Sequence, residues 1–275
     1  MILNVLISTY GSRISAVKSV FREQNDNVFY TLVHQCELNN DYSETVRDIM
    51  KGRNDITYYP LYNKGLSKSR NKAISVAFGD ICLVMDDDVT LVSDFYNIIV
   101  KSFNEQPNAD AITFQISEHP SGRLLKDYPL KAQSHNLKSI LKVGSIEFAF
   151  RLKSILKAEI VFPEYLGAGT NLPACEEPVF LSKLIKSGVK IFYQPIIIAH
   201  HPMLSSGKVF KVENTLLCRG VAFREIYGKI FGLAAICYFY VRNFDKFELH
   251  DKYAFISLLK GYFMSQVERD KFNDD

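Results

Sequence analysis

The stretch Ile81-Cys82-Leu83-Val84-Met85-Asp86-Asp87-Asp88 places five apolar residues directly before three carboxylates. A short, continuous apolar run of this kind predicts a fully buried strand of a parallel sheet. Ligands of such sheets bind at the carboxyl ends of the strands, where these acids stand. Adjacent carboxylates repel one another, so the cluster needs a cation or hydrogen-bond donors. The stretch therefore predicts an α/β fold with a polar site at one edge of its sheet.

Strand and helix patterns alternate around this stretch. The predicted strands cover residues 1–8, 27–34, 56–59, 81–85, 110–116, 145–151 and 189–193. Apolar residues recur at helical spacing in 14–21, 42–51, 66–78, 93–103 and 176–187, and the chain reads as helical and rich in aromatic residues from about 208 onward. This alternation predicts a mostly parallel sheet with helices on both faces, followed by a C-terminal helical appendage.

Composition excludes several classes of protein. Of the 275 residues, 47% are hydrophobic and 23% charged, as in globular proteins, which argues against a disordered chain. A net charge of +3 is too small for a dedicated nucleic-acid-binding domain. The five cysteines form no CxxC pair, and the first residues lack the basic region and cleavage site of a signal peptide. We therefore expect a cytoplasmic protein.

The acidic triplet also permits other interpretations. Carboxylates suit Mg²⁺ or Mn²⁺, which would bridge a diphosphate, whereas the simplest alternative is an acidic turn that caps the next helix. Residues 86–90 also fit a DxDxT phosphotransferase loop, in which the first Asp is a nucleophile. That loop normally follows the first strand and needs a downstream Gly-Asp-x-x-x-Asp, which the sequence lacks. The phosphotransferase is the weaker hypothesis.

Five motifs follow one another along the chain. They are the strand end at 6–10, the helix start with Asn63-Lys64-Gly65, the triplet at 86–88, the acidic pair Glu176-Glu177 and the segment from Pro195 to His200-His201. Over residues 1–207 this order resembles the family 2 glycosyltransferases, inverting enzymes of the GT-A fold. Ser205-Ser206-Gly207 and Arg219-Gly220 are similar to stretches in bacterial polysaccharide-assembly members of that family.

The resemblance implies a domain organisation and an activity. Residues 1–207 would form the GT-A catalytic domain, with a nucleotide-sugar-binding half at 1–116 and an acceptor-binding half at 117–207, and 208–275 the appendage. The activity would be inverting transfer of a sugar from a nucleotide-diphosphate donor to a hydroxyl of a glycan or lipid-linked acceptor, in O-antigen or capsule synthesis.

Two further functions compete with this expectation. One is a catalytically silent module on the same fold that binds sugar nucleotides or a membrane surface. The other is a nucleotidyltransferase, which would need a glycine-rich loop with Arg and Lys after the first strand. Gly11-Ser12-Arg13 is too short for such a loop.

The resemblance assigns metal ligands. Asp88 is the expected direct ligand of Mn²⁺ or Mg²⁺, and Asp86 would contact either the ribose or the metal. A histidine after the last strand would complete the site, with His200 favoured over its neighbour His201. An isolated histidine at a strand end is more often structural, so both interpretations stay open.

Four more residues are expected to bind the nucleotide sugar. By resemblance these are Asp87, Arg70 near a helix start, where phosphate could meet it, and Thr9 and Tyr10 beside the nucleobase. Without the resemblance, Arg70 would be an exposed helix charge and Tyr10 a packing residue. The family often has an acid after the second strand to read the base. Residues 35–37, Gln-Cys-Glu, stand there and leave the base undecided.

The acidic pair is the expected source of a catalytic base. An inverting transfer needs a base to take the proton of the acceptor hydroxyl. The resemblance gives this role to Glu177, with Glu176 orienting it or the acceptor. Acids in a first helical turn also complement the helix dipole, which is the ordinary explanation. The preceding Gly167-Ala168-Gly169-Thr170 is either a close-approach loop or a plain connector.

Basic and aromatic residues accumulate near the C-terminus. Residues 208–260 hold nine Lys or Arg, five acids and many aromatic residues around one apolar run, 230–241. That run is too short to cross a bilayer, which takes about 20 residues. The composition suits a peripheral helix on the anionic inner face of the cell membrane. Packing on the catalytic domain or a homodimer seam explains it equally well.

Overall fold

The structure, a computed structural model, describes residues 1–202, 213–247 and 252–271. The strands within these ranges are β1 Leu3–Tyr10, β2 Val28–Gln35, β3 Ile56–Leu61, β4 Ile81–Asp86, β5 Thr90–Leu91, β6 Ala111–His119, β7 Gln133–Ser134, β8 Phe148–Arg151 and β9 Ile191–Pro202. The α-helices are α1 Ser43–Met50, α2 Leu66–Val76, α3 Phe95–Glu105, α4 Leu152–Ala158, α5 Glu176–Lys186, α6 Glu213–Arg242, α7 Lys252–Phe263 and α8 Gln266–Lys271.

The strands form one sheet in the order β3-β2-β1-β4-β8-β6-β9-β5, with β7 also paired to β9. β1, β2, β3 and β4 pair in parallel, as do β6 and β9. β8 is antiparallel to both neighbours, and β5 and β7 are antiparallel to β9. Every residue of β1 from Leu3 to Thr9 is buried, so the centre of the sheet is covered on both faces. The mostly parallel α/β sheet predicted from the sequence is confirmed.

Two predicted elements take a different form. The first helix is a 3₁₀ helix, Gly11–Ser19, because its buried residues Ile14 and Val17 recur every three positions, the period of that helix. The strand predicted at 145–151 begins only at Phe148. A 3₁₀ turn at Ser145–Glu147 replaces its start, and it directs the side chain of Ser145 to Arg70 and that of Glu147 to Tyr128.

The chain divides into two compact units. The first holds Met1–Lys64, Lys68–Ile160 and 184–202, and the second holds Gly65–Ser67, Val161–Lys183 and the described residues from 213 onward. The domain boundary predicted between 207 and 208 lies outside the described residues, as does the Ser205-Ser206-Gly207 stretch. The proposed catalytic and appended domains therefore stay a prediction.

In the second unit, α6 and α7 pack through glycines. A Cβ on Gly220 would lie 2.0 Å from the carbonyl oxygen of Leu258, and one on Gly261 2.1 Å from that of Leu217. The two backbones therefore touch where any side chain would separate them. α6 is broken at Gly228, whose φ of 74° and ψ of −168° are not helical. Within the described ranges, no helix is long and apolar enough to span a membrane.

Candidate active site

The parallel register of β1 and β4 builds the acidic end of the first unit. Ser8 pairs with Asp86, so the next residues, Thr9 and Asp87, come level with each other. Thr9 Oγ1 donates a 2.7 Å hydrogen bond to Asp87 Oδ2, and both residues are buried. The threonine that the sequence assigns to the nucleobase border therefore orients a carboxylate of the triplet.

The three aspartates do not face the same way. The side chain of Asp87 is 4% exposed, whereas those of Asp86 and Asp88 are 32% and 31% exposed. β4 ends at Asp86, and Asp87 and Asp88 form a turn in which the Asp87 carboxylate contacts Thr9 and Arg13. Asp86 and Asp88 are therefore the two partly exposed carboxylates of the triplet, and Asp87 is the buried one.

Arg13 is a site residue that the sequence analysis did not single out. Its Nε lies 3.1 Å from both carboxylate oxygens of Asp87, and its Nη2 lies 3.0 Å from Asp88 Oδ2 and also contacts Asp87 Oδ1. The hydrogen bond with Asp87 raises the pKa of the Arg13 guanidinium further above its usual value. Its position, three residues after the end of β1, could have indicated a site residue in the sequence. Only the folded chain shows which acids it contacts.

Arg70 is buried rather than exposed. Its side chain is 2% exposed, and its Nη2 lies 3.3 Å from Asp86 Oδ1 and 2.6 Å from Ser145 Oγ. The interpretation of Arg70 as an exposed helix charge is therefore wrong. Its position links the first aspartate of the triplet to the 3₁₀ turn at Ser145.

The antiparallel pair β5–β9 decides which histidine meets the triplet. Thr90 pairs with His200, so the next residue of β9, His201, comes beside the end of the acidic turn. His201 Nε2 lies 3.5 Å from Asp88 Oδ1. His200 Nδ1 instead lies 2.5 Å from Ser117 Oγ, and burial lowers the pKa of its imidazole. The structure thus places His201, and not the favoured His200, next to the expected metal ligand.

Asp88 Oδ1 is the atom best suited to a cation. It is buried and has no hydrogen-bond partner within the described part of the chain. Among those residues, no group of three or more His, Cys, Asp and Glu is arranged to hold a metal ion. The protein side of a metal site here would consist of the pair Asp88 and His201.

Glu37 lies at the end of β2, beside Tyr10. Tyr10 Oη donates to Glu37 Oε1 over 3.1 Å, and Tyr42 Oη donates to Oε2 over 2.8 Å. These hydrogen bonds, that from Tyr42 foremost, lower the pKa of the Glu37 carboxyl. Gly11 has a φ of +53°, and a Cβ on it would lie 3.1 Å from Glu37 Oε2. Gly11 thus leaves room for an acid where a base-reading residue is expected, and Tyr42, which the sequence analysis did not assign to the site, holds that acid.

The acidic pair begins α5 in the second unit. Glu176 is buried and Glu177 is half-buried. Gly167 has a φ of +107°, and a Cβ on it would lie 3.0 Å from Glu176 Cδ. Cys175, directly before the pair, has a φ of +74°, which is rare for a residue with a side chain. The loop at 167–170 is therefore closely packed on Glu176 at Gly167, as a close-approach loop would be.

Comparisons with known proteins identify the fold. The chain is similar in structure to S. aureus TarS residues 1–349, with a TM-score of 0.66 and 14% identity over 95% of this chain and 80% of that one. The same protein in complex with UDP-GlcNAc gives a TM-score of 0.65. A longer TarS structure matches with a TM-score of 0.62 and 15% identity, over 90% of this chain and 44% of that one.

The sequence comparisons identify the family. No curated protein matches the chain in sequence. The sequence model described as "Glycosyl transferase family 2" matches residues 14–158, which is more than half of the chain. That range contains Arg70, the acidic triplet and β1's neighbours in the sheet. The chain belongs to glycosyltransferase family 2 and has the GT-A fold.

Proposed function

We propose that this glycosyltransferase moves a sugar from a nucleoside-diphosphate sugar to a hydroxyl of a glycan or lipid-linked acceptor, with inversion, in cell-surface polysaccharide synthesis. The observation that carries the proposal is the pair of partly exposed carboxylates, Asp86 and Asp88, at the strand end of a family 2 chain. Support for the donor class comes from S. aureus TarS, which has a similar fold and has been solved with UDP-GlcNAc.

A divalent cation, Mn²⁺ or Mg²⁺, fits the residues present. The buried Asp88 Oδ1 has no hydrogen-bond donor among the residues that the structure describes, so it is an acceptor that a cation would satisfy. Carboxylate with imidazole is a ligand set that Mn²⁺ accepts. Asp88 and His201 would hold the ion, with donor phosphate oxygens as further ligands. The ion would supply positive charge that stabilises the leaving nucleoside diphosphate.

The nucleoside end of the donor would lie against Tyr10. This ring stands 36% exposed at the end of β1, and its hydroxyl holds Glu37. A carboxylate fixed by Tyr10 and Tyr42 can accept a hydrogen bond from a base that carries an N–H. The N3–H of uracil is such a donor, and other bases also carry N–H groups. Because S. aureus TarS, of similar fold, has been solved with UDP-GlcNAc, a uridine nucleotide is the donor that we expect to bind best.

Glu177 would act as the general base. A single displacement at the sugar carbon requires the acceptor oxygen to lose its proton as it attacks. Glu176 is buried beneath the loop at Gly167, whereas Glu177 is half-buried and so more accessible to an acceptor. We therefore give proton transfer to Glu177 and a positioning role to Glu176.

A nucleotide panel tests the donor and metal parts together. Thermal stability is measured with UDP, GDP, CDP and dTDP, each with and without Mn²⁺, and sugar transfer is followed by release of the nucleotide. We expect UDP with Mn²⁺ to stabilise most, by about 2.7 kcal/mol at a hundredfold excess over Kd. Nucleotide binding with no turnover of any UDP-sugar in the presence of cell-envelope glycan acceptors would favour the catalytically silent binding module.

The variant Asp88→Ala locates the metal. Removing this carboxylate should abolish the part of UDP stabilisation that depends on Mn²⁺. Asp48→Ala, which removes an exposed carboxylate paired with Lys18, serves as the control and should keep it. If Asp88→Ala keeps the Mn²⁺-dependent stabilisation, the metal is held elsewhere.

The second unit also presents an apolar surface that supports a peripheral membrane location. The apolar stripe consists of Ile230, Leu233, Tyr238 and Val241, which recur at helical spacing after the break in α6 and are all exposed. The basic residues Lys229 and Arg242 stand exposed at its two ends. Apolar side chains between cations suit an anionic lipid surface.

Vesicle co-sedimentation of the full chain tests this location. We expect partitioning onto anionic but not neutral vesicles, weakened by salt, and a loss of partitioning in Ile230→Asp/Val241→Asp. Leu130→Asp, which changes a 94% exposed leucine of the first unit, is the matched control. If the double variant turns a dimer into a monomer and leaves lipid binding unchanged, the stripe is instead a homodimer seam.

A further inference from the structure

The acidic triplet is held by two arginines that differ in freedom. Arg70 contacts Asp86 and is 2% exposed, so its guanidinium is enclosed by protein. Arg13 contacts Asp87 and Asp88 and is 57% exposed. An exposed guanidinium can leave one partner for another at little cost, whereas a buried one cannot.

Asp88 is where Arg13 and a cation would meet. Arg13 Nη2 donates a 3.0 Å hydrogen bond to Oδ2 of this carboxylate. The other oxygen, Oδ1, lies on the side of His201 and accepts no hydrogen bond from the described residues. Two positive charges at one carboxylate repel each other. The guanidinium at Oδ2 therefore weakens the binding of a divalent ion at Oδ1, and the ion weakens the contact with the guanidinium.

We propose that Arg13 is the resident counter-ion of Asp88 in the donor-free protein, that it opposes divalent-ion binding there, and that the donor diphosphate relieves this opposition by drawing the guanidinium away. The inference rests on the proposed function, because it assumes the cation at Asp88 and a diphosphate donor. Guanidinium groups bind phosphate oxygens through paired N–H donors, which makes the diphosphate a suitable new partner. Arg13 keeps Asp87 through Nε while Nη2 is released.

Thermodynamic linkage gives this inference a consequence apart from catalysis. Arg13 competes with the cation for Asp88, and Asp88 competes with the diphosphate for Arg13. Each ligand removes the competitor of the other, so the binding of the two ligands is positively coupled. Arg13 should make Mn²⁺ binding weak without nucleotide and strengthen UDP binding even without metal. Removing the guanidinium should change the two affinities in opposite directions.

The test compares Mn²⁺ affinity, measured by electron paramagnetic resonance, and UDP affinity, measured by calorimetry without metal. In Arg13→Gln we expect Mn²⁺ to bind about tenfold more tightly without nucleotide and UDP to bind about tenfold more weakly, within the usual range of coupling. Arg47→Gln removes an exposed arginine of α1 and should change neither affinity.

Arg13→Lys guards against misfolding, since Asp87 is buried and depends on Arg13. A lysine keeps one positive charge for Asp87 but lacks the fork that reaches Asp88, so Mn²⁺ should again bind more tightly, by less than in Arg13→Gln. The inference is overturned if neither variant binds Mn²⁺ more tightly than wild type. If Asp88→Ala also leaves Mn²⁺ binding intact, the proposed metal site fails with it; if Asp88→Ala abolishes binding, only the role of Arg13 fails.

Discussion

Two acidic regions of this chain are held in place by different means. The triplet at Asp86–Asp88 in the first unit is surrounded by guanidinium groups, one buried and one exposed. The pair Glu176-Glu177 in the second unit is shaped by its backbone, with positive φ angles at Gly167 and Cys175. The comparison teaches that charged side chains organise the aspartates to which we assign the cation, whereas backbone conformation organises the acidic pair to which we assign the proton transfer.

The largest expected effect tests the proton-accepting side of this comparison. Glu177→Gln keeps the shape of the side chain but removes its basic oxygen. A general base contributes about 10²–10⁴-fold, so we expect single-turnover transfer to fall by that factor while UDP affinity is retained. Glu105→Gln, an exposed acid of α3, is the control. A rate within about threefold of wild type would assign the base elsewhere, with Glu176 the next variant to make.

A pair of glycine variants separates the cost of crowding Glu176 from the backbone cost of a positive φ. Gly167 and Gly188 both have positive φ, but a Cβ on Gly167 would crowd Glu176, whereas one on Gly188 would meet no atom within 4 Å. Gly188→Ala should cost only the backbone term, about 1–2 kcal/mol of unfolding free energy. Gly167→Ala should cost about 1–3 kcal/mol more, from overpacking. Chemical denaturation measures both losses of unfolding free energy. Equal losses would show that the Glu176 side chain can move away from the new methyl group without destabilising the fold.

A pH series gives the smallest expected effect and extends the comparison to Glu37, an acid held mainly by neutral hydrogen-bond donors. The lowered pKa of Glu37 means that its ionised form stabilises the fold. This contribution is complete above the ordinary glutamate pKa of about 4.3 and disappears as the pH falls through the lowered pKa. Glu37→Gln should therefore be less stable than wild type at pH 7, and the difference in melting temperature should vanish in acid. A difference that is the same at both pH values would point to packing instead.

Local sequence predicted those parts of the fold that depend on local patterns. The apolar run before Asp86 predicted β4 to within one residue, because a strand that is buried on both faces of the sheet is a continuous apolar run. The first helix was assigned the wrong period because its apolar spacing of three suits both a short α-helix and the 3₁₀ helix observed. Glu147 could not be placed from sequence, because its partners Lys126 and Tyr128 are distant in the chain.

The candidate site was predictable by residue type and less so by contact. The triplet was located because charge next to a buried strand is a local signal. Whether His200 or His201 faces Asp88 depends on how the two-residue strand β5 pairs with β9. A shift of this pairing by one residue would bring the other histidine to Asp88. Arg13 escaped notice for a similar reason, since its contacts with Asp87 and Asp88 exist only once β1 and β4 are aligned.

The pairing of β1 with β4, from Leu3 opposite Ile81 to Ser8 opposite Asp86, constrains how this gene can change. Deleting one residue within β1 would move Thr9 and Arg13 back by about 3.3 Å along the sheet and turn their side chains to the opposite face. Exchange of one buried aliphatic residue for another leaves that alignment intact. Among descendants of this chain that keep their activity, β1 and β4 should therefore differ in composition but not in length.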